Sequence, residues 1–254
     1  MYPVERQAAI IATAQSGDGE ISVTALSEAL NVTPETIRRD LAVLERQGVL
    51  NRKHGGARLT RDLPFEVGLA QRDLSEGAEK RRISLRILQE LPPDGVVLLD
   101  SGSLTLALAR LFPEDRDLIV VTNNLAAVPI LAAKKGLTVM ALPGRVRAMT
   151  QGAVDEWTRS RISSLNVDLV VLGANGLSAE EGATTTIPEE SEVKRAMLLS
   201  ARRRILGVTS SKIGQVSFSH VAACDEFDLI VTDSRLDTQQ QARLRAAGAP
   251  LVVV

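Results

Sequence analysis

Apolar positions recur at two different spacings along this chain, and the change of spacing divides it. Between Thr24 and Gly56, TALSEALNVTPETIRRDLAVLERQGVLNRKHGG, the spacing is helical. Ala25, Leu26, Ala29 and Leu30 make one apolar face, and Asn31-Val32-Thr33 then breaks it. Thr33 is a good N-cap and Pro34 a good first helical residue, so a second helix is expected from there. Ile37, Leu41 and Leu44 share its inner side, which leaves Glu35, Thr36, Arg38 and Arg39 facing out. Leu50–Lys53 and Ala57–Leu59, hinged at His54-Gly55-Gly56, read as a β-hairpin. Upstream, Val4, Ala8, Ile11 and Ala12 fall on one face of a further helix. Ser16-Gly17-Asp18-Gly19 reads as a turn, and Ile21-Ser22-Val23 suits a short strand beside the hairpin.

The helical spacing is lost over 60–78, where Pro64, Gly68 and mixed charge suggest a linker. We therefore expect a domain over 1–60, a linker over 61–78 and a second domain over 79–254. Ser75 is expected to cap a helix carrying Ile83, Ile87 and Leu91. From there short apolar runs alternate with helical patterns. Strands are expected at Val96–Leu99, Leu118–Val121, Leu137–Leu142, Val167–Leu172, Ile205–Val208, Leu229–Val231 and Leu251–Val254. Helices are expected at Leu104–Leu111, Leu125–Lys135, Thr150–Leu165, Pro188–Ala201 and Asp237–Ala247. Continuous Val/Leu/Ile runs between helices mean a parallel sheet buried on both faces, an open α/β domain.

Composition narrows the chemistry. The chain has 254 residues, 44% of them hydrophobic, enough for one or two real cores. Net charge is −1, so any nucleic-acid role must rest on a local patch. Arg38, Arg39, Arg46, Arg52, Lys53 and Arg58 against Asp40 and Glu45 make such a patch. Aromatic residues are only 2%, which argues against stacking on single strands. Cys224 is the single cysteine, so no intrachain disulfide is expected; it reads as a small buried residue. Trp157 reads as core. His54 and His220 are the only histidines and show no metal-ligand spacing, so neither metal nor cofactor is expected. MYPVERQ shows no leader and no apolar run reaches membrane-spanning length, so a cytoplasmic protein without a membrane partner is expected.

Two arginines on a lone helix are ordinarily a solvated face. Here a capped second helix follows a bracing one, and a basic hairpin follows both. That is the layout of a winged helix-turn-helix, whose second helix offers polar side chains to the major groove. Thr33, Glu35, Thr36, Arg38, Arg39, Arg52, Lys53 and His54 are the candidate DNA-binding residues. In the second domain, ligands of open parallel sheets sit beyond the carboxyl ends of the strands. The segments there are Asp100–Thr105, Thr122-Asn123-Asn124, Pro143-Gly144-Arg145, Gly173–Gly176 and Thr209–Lys212, all small, polar or glycine-containing. In the first of these Gly102 permits close backbone approach, Ser101, Ser103 and Thr105 carry hydroxyls, and the next helix presents free N–H groups. Lys212 adds a point charge, so a phosphomonoester suits the rim.

VTPETIRRDLAVLERQGVLNRKHGGA is very similar to the N-terminal winged helix-turn-helix of DeoR-type bacterial regulators. EKRRISLRI, LLDSGSLTLALA, VVTNN, GANG, EVKRAM, SSKIG and VTD resemble the effector domain of the same family. The resemblance implies a ribose-5-phosphate-isomerase-type fold that senses a phosphorylated sugar or related metabolite. Carried over, Asp100, Gly102, Ser103 and Thr105 form the phosphate loop, Thr122 and Asn123 line the sugar, and Lys212 contacts the anion. Asn175, Lys80, Glu192 and Lys194 are further candidates. Leu104 stands where the family often has a hydroxyl, and Thr209 where Asp is usual.

Three functions suit this layout: a repressor released from operator DNA by a sugar phosphate, an activator of the same architecture, and an aldose–ketose isomerase with a DNA-binding appendage. Isomerisation needs a base. Leu172 and Asn175 stand where isomerases of this fold resemble one another in carrying acids, which leaves Glu192. The repressor of carbohydrate genes, not an enzyme, is the expectation. Half-sites about 34 Å apart call for a homo-oligomer, dimer or tetramer.

Overall fold

The computed structural model describes residues 3–16, 20–46, 50–53, 55–59 and 68–254. The chain forms two compact units, Met1–Val67 and Gly68–Val254.

In the first unit, α1 (Pro3–Ser16), β1 (Glu20–Ser22), α2 (Val23–Ala29), α3 (Pro34–Arg46), β2 (Leu50–Lys53) and β3 (Gly56–Leu59) follow in order. The three strands form an antiparallel sheet in the order β1-β3-β2. β3 lies close against β1 because Gly56 has no side chain: a Cβ there would meet the Ile21 carbonyl oxygen at 2.0 Å. Ile10, Leu26, Ile37, Leu41, Leu44 and Leu50 are buried together. α1 is tied to α3 by a buried ion pair, Arg6 Nε to Asp40 Oδ2 at 2.5 Å, with Gln7 donating to Oδ1 at 3.2 Å. α3 starts where its cap is: the Thr36 amide donates to Thr33 Oγ1 at 3.3 Å.

The inner face of α2 differs from expectation. Leu26 is buried and Leu30 packs against the core as expected, but Ala25 and Ala29 are exposed and Val23 is buried in their stead. Ser22 caps the helix by accepting from the Ala25 amide, so Val23 opens α2 rather than closing the strand. The turn at Gly17–Gly19, the 60–67 segment and the side chains of Val4, Ala8 and Ala12 lie outside the described residues.

The second unit begins with α4 (Leu69–Leu74) and α5 (Gly77–Leu88). β4 (Asp94–Leu99), α6 (Ser103–Leu111), β5 (Asp117–Thr122), α7 (Val128–Ala132) and β6 (Leu137–Ala141) follow. Next come the short pair β7 (Val146–Arg147) and β8 (Gly152–Ala153), then α8 (Glu156–Ser163) and β9 (Val167–Leu172). β10 (Gly176–Ser178), β11 (Gly182–Thr185), α9 (Pro188–Ser200), β12 (Ala201–Gly207), β13 (Ser219–Ala222), β14 (Leu229–Thr232), α10 (Thr238–Ala246) and β15 (Leu251–Val253) complete it. Seven strands make one sheet in the order β15-β14-β12-β9-β4-β5-β6, every pair parallel. Ile83, Ile87 and Leu108 pack on one face; Ile162, Val193 and Met197 pack on the other. The direction of winding reverses between β4 and β9, where an open α/β sheet leaves a crevice at its carboxyl edge.

Several expectations are corrected here. The unit starts at Gly68, not 79: Leu69 is buried, and its amide donates to the Met149 carbonyl at 2.8 Å. Ser75 does not cap α5; its hydroxyl donates back to the Arg72 carbonyl, and Glu76 holds the N-cap position. Helix over 125–135 shrinks to α7. Helix over 150–165 starts only at Glu156, because Asp155 caps it by accepting from the Thr158 amide at 2.9 Å. Gly152 stays extended beside Asn124, where a Cβ would meet Ser101 Oγ at 2.4 Å. A small antiparallel sheet, β10-β11-β13, carried no long apolar run to announce it. Trp157 is 74% exposed on α8, not core. Among the described residues no helix is long and apolar enough to cross a membrane.

Candidate functional site

On the first unit, Thr33, Glu35, Arg38 and Arg39 are exposed at the start of α3, and Thr36 is half-buried. The Thr33 and Thr36 hydroxyls lie 2.9 Å apart, so Thr36 is held by its own cap. Arg38 leans on Glu35 at 3.3 Å, a surface pair of little energetic weight. On the hairpin, Arg52 and Lys53 are exposed; Lys53 reaches Glu20 at 2.9 Å, and Arg52 lies 3.8 Å from Glu45. Asp40 is buried against Arg6, so it does not offset the outward charge of α3. His54 lies outside the described residues.

In the second unit the strand ends do meet at one rim. Asp100 leaves β4 directly at the reversal of winding and is buried. Its carboxylate accepts from the Lys194 ammonium and from the Gly173 amide at 3.1 Å, and Lys194 also donates to the Gly173 carbonyl at 3.0 Å. Burial pushes the Asp100 carboxyl up, while Lys194 and the Gly173 amide pull against it. Asp100 is thus a brace across the crevice, between the ends of β4 and β9. Gly102 follows at φ +141°, a backbone that favours glycine, and no side chain caps α6 behind it. The first turn of α6 therefore keeps N–H groups for a ligand. Ser103 and Thr105 are buried in that turn, Thr105 donating to the Gly102 carbonyl at 3.1 Å.

Thr122 is fully buried, and its hydroxyl donates to the Leu99 carbonyl at 2.8 Å, which makes it a tie between β5 and β4. Asn123 spends its amide nitrogen on the Ala153 carbonyl at 3.0 Å. Its Oδ1, like Asn124 Oδ1 and Thr150 Oγ1, is buried without a hydrogen-bond partner. Such atoms in a polar crevice mark where a hydroxylated ligand gains the most. Asn175 is half-buried and accepts from Thr185 at 3.0 Å.

Lys212 donates to the Ala174 carbonyl at 2.8 Å. Burial, followed by the charges of Arg72, Lys80 and Lys194, lowers its ammonium to about 7. Lys80 is buried too, donating to the Arg72 and Ser75 carbonyls, and burial is the main reason its own value is lowered. Four cations from α4, α5, α9 and the loop after β12 thus crowd one rim. Glu192 is exposed and belongs to another face of α9. The inward acid is Glu190, paired with Arg147 at 2.9 Å and with the Thr185 hydroxyl at 3.0 Å. Burial pushes Glu190 up, but Lys194, Arg147 and Thr185 outweigh it and hold the carboxyl below its ordinary range. Glu190, Arg147, Arg72 and Glu76 were not singled out by the sequence; only inward helical phase could have marked Glu190. Among the described residues no group of three or more His, Cys, Asp or Glu side chains is placed to hold a metal.

Residues 6–62 match the DeoR-like helix-turn-helix domain, and residues 75–234 match the DeoR C terminal sensor domain. The HTH-type transcriptional regulator GlpR of Haloferax volcanii is 34% identical over 99% of this chain and 98% of its own length. The glycerol-3-phosphate regulon repressor of Escherichia coli K12 is 29% identical over 85% of each chain. Ribose 5 phosphate isomerase A from Neisseria gonorrhoeae aligns over 55% of this chain and 54% of its own at 11% identity, with a TM-score of 0.39, too distant to add to the assignment. With both units matched in order, and a relative similar from end to end, the chain belongs to the DeoR family of transcriptional regulators.

Proposed function

We propose that this chain is a repressor of carbohydrate-metabolism genes that leaves its operator when a small phosphorylated metabolite binds the strand-end rim. The observation that carries it is the gathering of Arg72, Lys80, Lys194 and Lys212 where an open parallel sheet takes its ligands. A phosphate dianion there relieves the repulsion by Arg72, Lys80 and Lys194 that, with burial, lowers the Lys212 ammonium. The uncapped start of α6 and the buried oxygens of Asn123 and Asn124 suit the phosphate and hydroxyls of one small sugar. The E. coli relative bears the name of a glycerol-3-phosphate regulon repressor, which supports a phosphorylated effector for this chain.

α3 would lie in the major groove with Thr36, Arg38 and Arg39 at base edges, while Arg52, Lys53 and His54 hold the backbone. Two such heads are needed for a palindromic site, so the working form is a cytoplasmic homo-oligomer. Effector and DNA then weaken each other's binding by the same factor. Catalysis is not part of this reading: Asn175 is an amide, and Glu190 is engaged by Arg147 and Thr185. A thermal-shift screen of phosphosugars against wild type and Lys212→Ala tests it. A compound that stabilises wild type and not the variant supports the reading; equal stabilisation of both counts against it.

A further inference from the structure

Glu76 stands out on the rim. It is one of three non-glycine residues described with positive φ, at φ +52°, ψ +37°. L side chains avoid that region unless tertiary contacts enforce it, and such residues cluster at switches and clamps. Glu76 occupies the N-cap position of α5, yet its side chain makes no capping hydrogen bond. The carboxylate instead turns to the loop after β12. Oε2 accepts from Thr209 Oγ1 at 2.9 Å and from Ser211 Oγ at 3.0 Å, and Oε1 accepts from Arg235 at 2.5 Å. Lys212 is the next residue in that loop, and Lys80 lies one helical turn on from Glu76. The charge of Glu76 acts on both ammonium groups. Two hydroxyl donors, a guanidinium and two ammonium groups around one anionic head make an oxyanion cradle in their own right.

We propose that Glu76 is a built-in competitor: its carboxylate and the anionic group of the effector take the same Thr209–Ser211–Lys212 cradle, one at a time. This rests on the reading of the rim as an anion site and adds how that site is regulated. Displacement frees a residue whose backbone is held in an unfavourable region. The adjacent turn is the one Lys80 cinches through the Arg72 and Ser75 carbonyls. That turn ends α4, the first element of the second unit after the segment leading from the DNA-binding head. Effector binding would thereby act first on α4 and the turn after it, the N-terminal elements of the second unit.

Calorimetric titration of the full chain with inorganic phosphate at pH 7 and fixed ionic strength tests this. Glu76→Gln should bind phosphate at least fivefold more tightly than wild type. Glu79→Gln removes a nearby charge that does not touch the two hydroxyls, and should change affinity less than twofold. Equal gains for both would mean a general field effect and overturn the proposal. Should Glu76→Gln fold poorly, Glu76→Asn decides, since Asn tolerates positive φ and carries no charge: phosphate affinity should rise at least fivefold, and unchanged affinity overturns the competitor. If wild type binds, Lys212→Met abolishes binding and Glu76→Gln matches wild type, only the competitor falls. If neither wild type nor Glu76→Gln binds phosphate, the anion reading falls and the competitor with it.

Discussion

The Lys212 ammonium donates to the Ala174 carbonyl at 2.8 Å, so the loop after β12 is pinned to the end of β9 by a charge that other cations oppose. Burial and then Arg72, Lys80 and Lys194 lower it from 10.5 to about 7, with Glu76 pulling the other way. Between those values the unfolded chain holds a proton that the folded chain has released, so stability rises with pH across that window. Lys212→Met should therefore be more stable than wild type at pH 6, and its margin should shrink as the pH climbs toward 10. Denaturant titrations at several pH values check this; a margin independent of pH contradicts it.

On the reading of the rim as an anion site, the same lysine should make anion binding pH-dependent. A phosphate beside Lys212 favours its protonated form, so binding takes up a proton above the ammonium's own titration near 7. Affinity should fall by up to about tenfold per pH unit above that point. Phosphomonoesters are already dianions there, with a second pKa of about 6, so the ligand does not cause the fall. Calorimetry in buffers of different ionisation enthalpy reads the proton directly. Binding with no proton uptake at pH 8 would contradict the placement of the anion.

Lys194 and Asp100 form a buried pair across the crevice, and removing one partner strands the other. Lys194→Met should cost about 3–5 kcal/mol of stability. Lys194→Met/Asp100→Asn should cost less than the sum of the single changes, because neither charge is then left alone. A double-mutant cycle by chemical denaturation measures this, and simple additivity would mean the pair is not coupled.

Asp40 has the same role in the head, buried against Arg6. Asp40→Ala should loosen α1 from α3 by about 3 kcal/mol, which is about a hundredfold faster amide exchange along α3. Exchange at the wild-type rate would show that the pair is dispensable.

Arg39 and Lys53 are assigned different work on DNA. Arg39→Ala should cost about 1–3 kcal/mol on the operator and less on unrelated duplex. Lys53→Ala should weaken both alike and lower the salt slope by about one. Anisotropy titrations over a salt series separate the two. Identical behaviour of the two variants would contradict the assignment of α3 to the groove.

Much of this was legible in the sequence wherever the signal is local. Thr33 and Pro34 announce the start of α3 because a cap needs only its own neighbours. The parallel sheet announced itself through runs such as Val167–Leu172, buried on both faces. The rim was legible as well, since Asp100, Gly102 and Lys212 follow strands. What escaped depends on facing and on partners far along the chain. Glu190 and Glu192 are two residues apart, about 200° around the helix, so one is buried with Arg147 and the other is exposed. Glu76 gave no signal because its partners Thr209 and Arg235 come from distant segments. Gly152 lies in a helical pattern of sequence, and only its pairing with the distant Asn124, with Ser101 close against it, makes it extended.

The most direct measurement is release of DNA by effector. The full chain is bound to its own promoter duplex at moderate salt and titrated with the phosphosugar that stabilises it most. The account predicts that DNA affinity falls at least tenfold, and that Lys212→Met binds the same DNA but does not let go. DNA affinity that is unchanged by a phosphosugar shown to bind, or release that survives loss of Lys212, would contradict it.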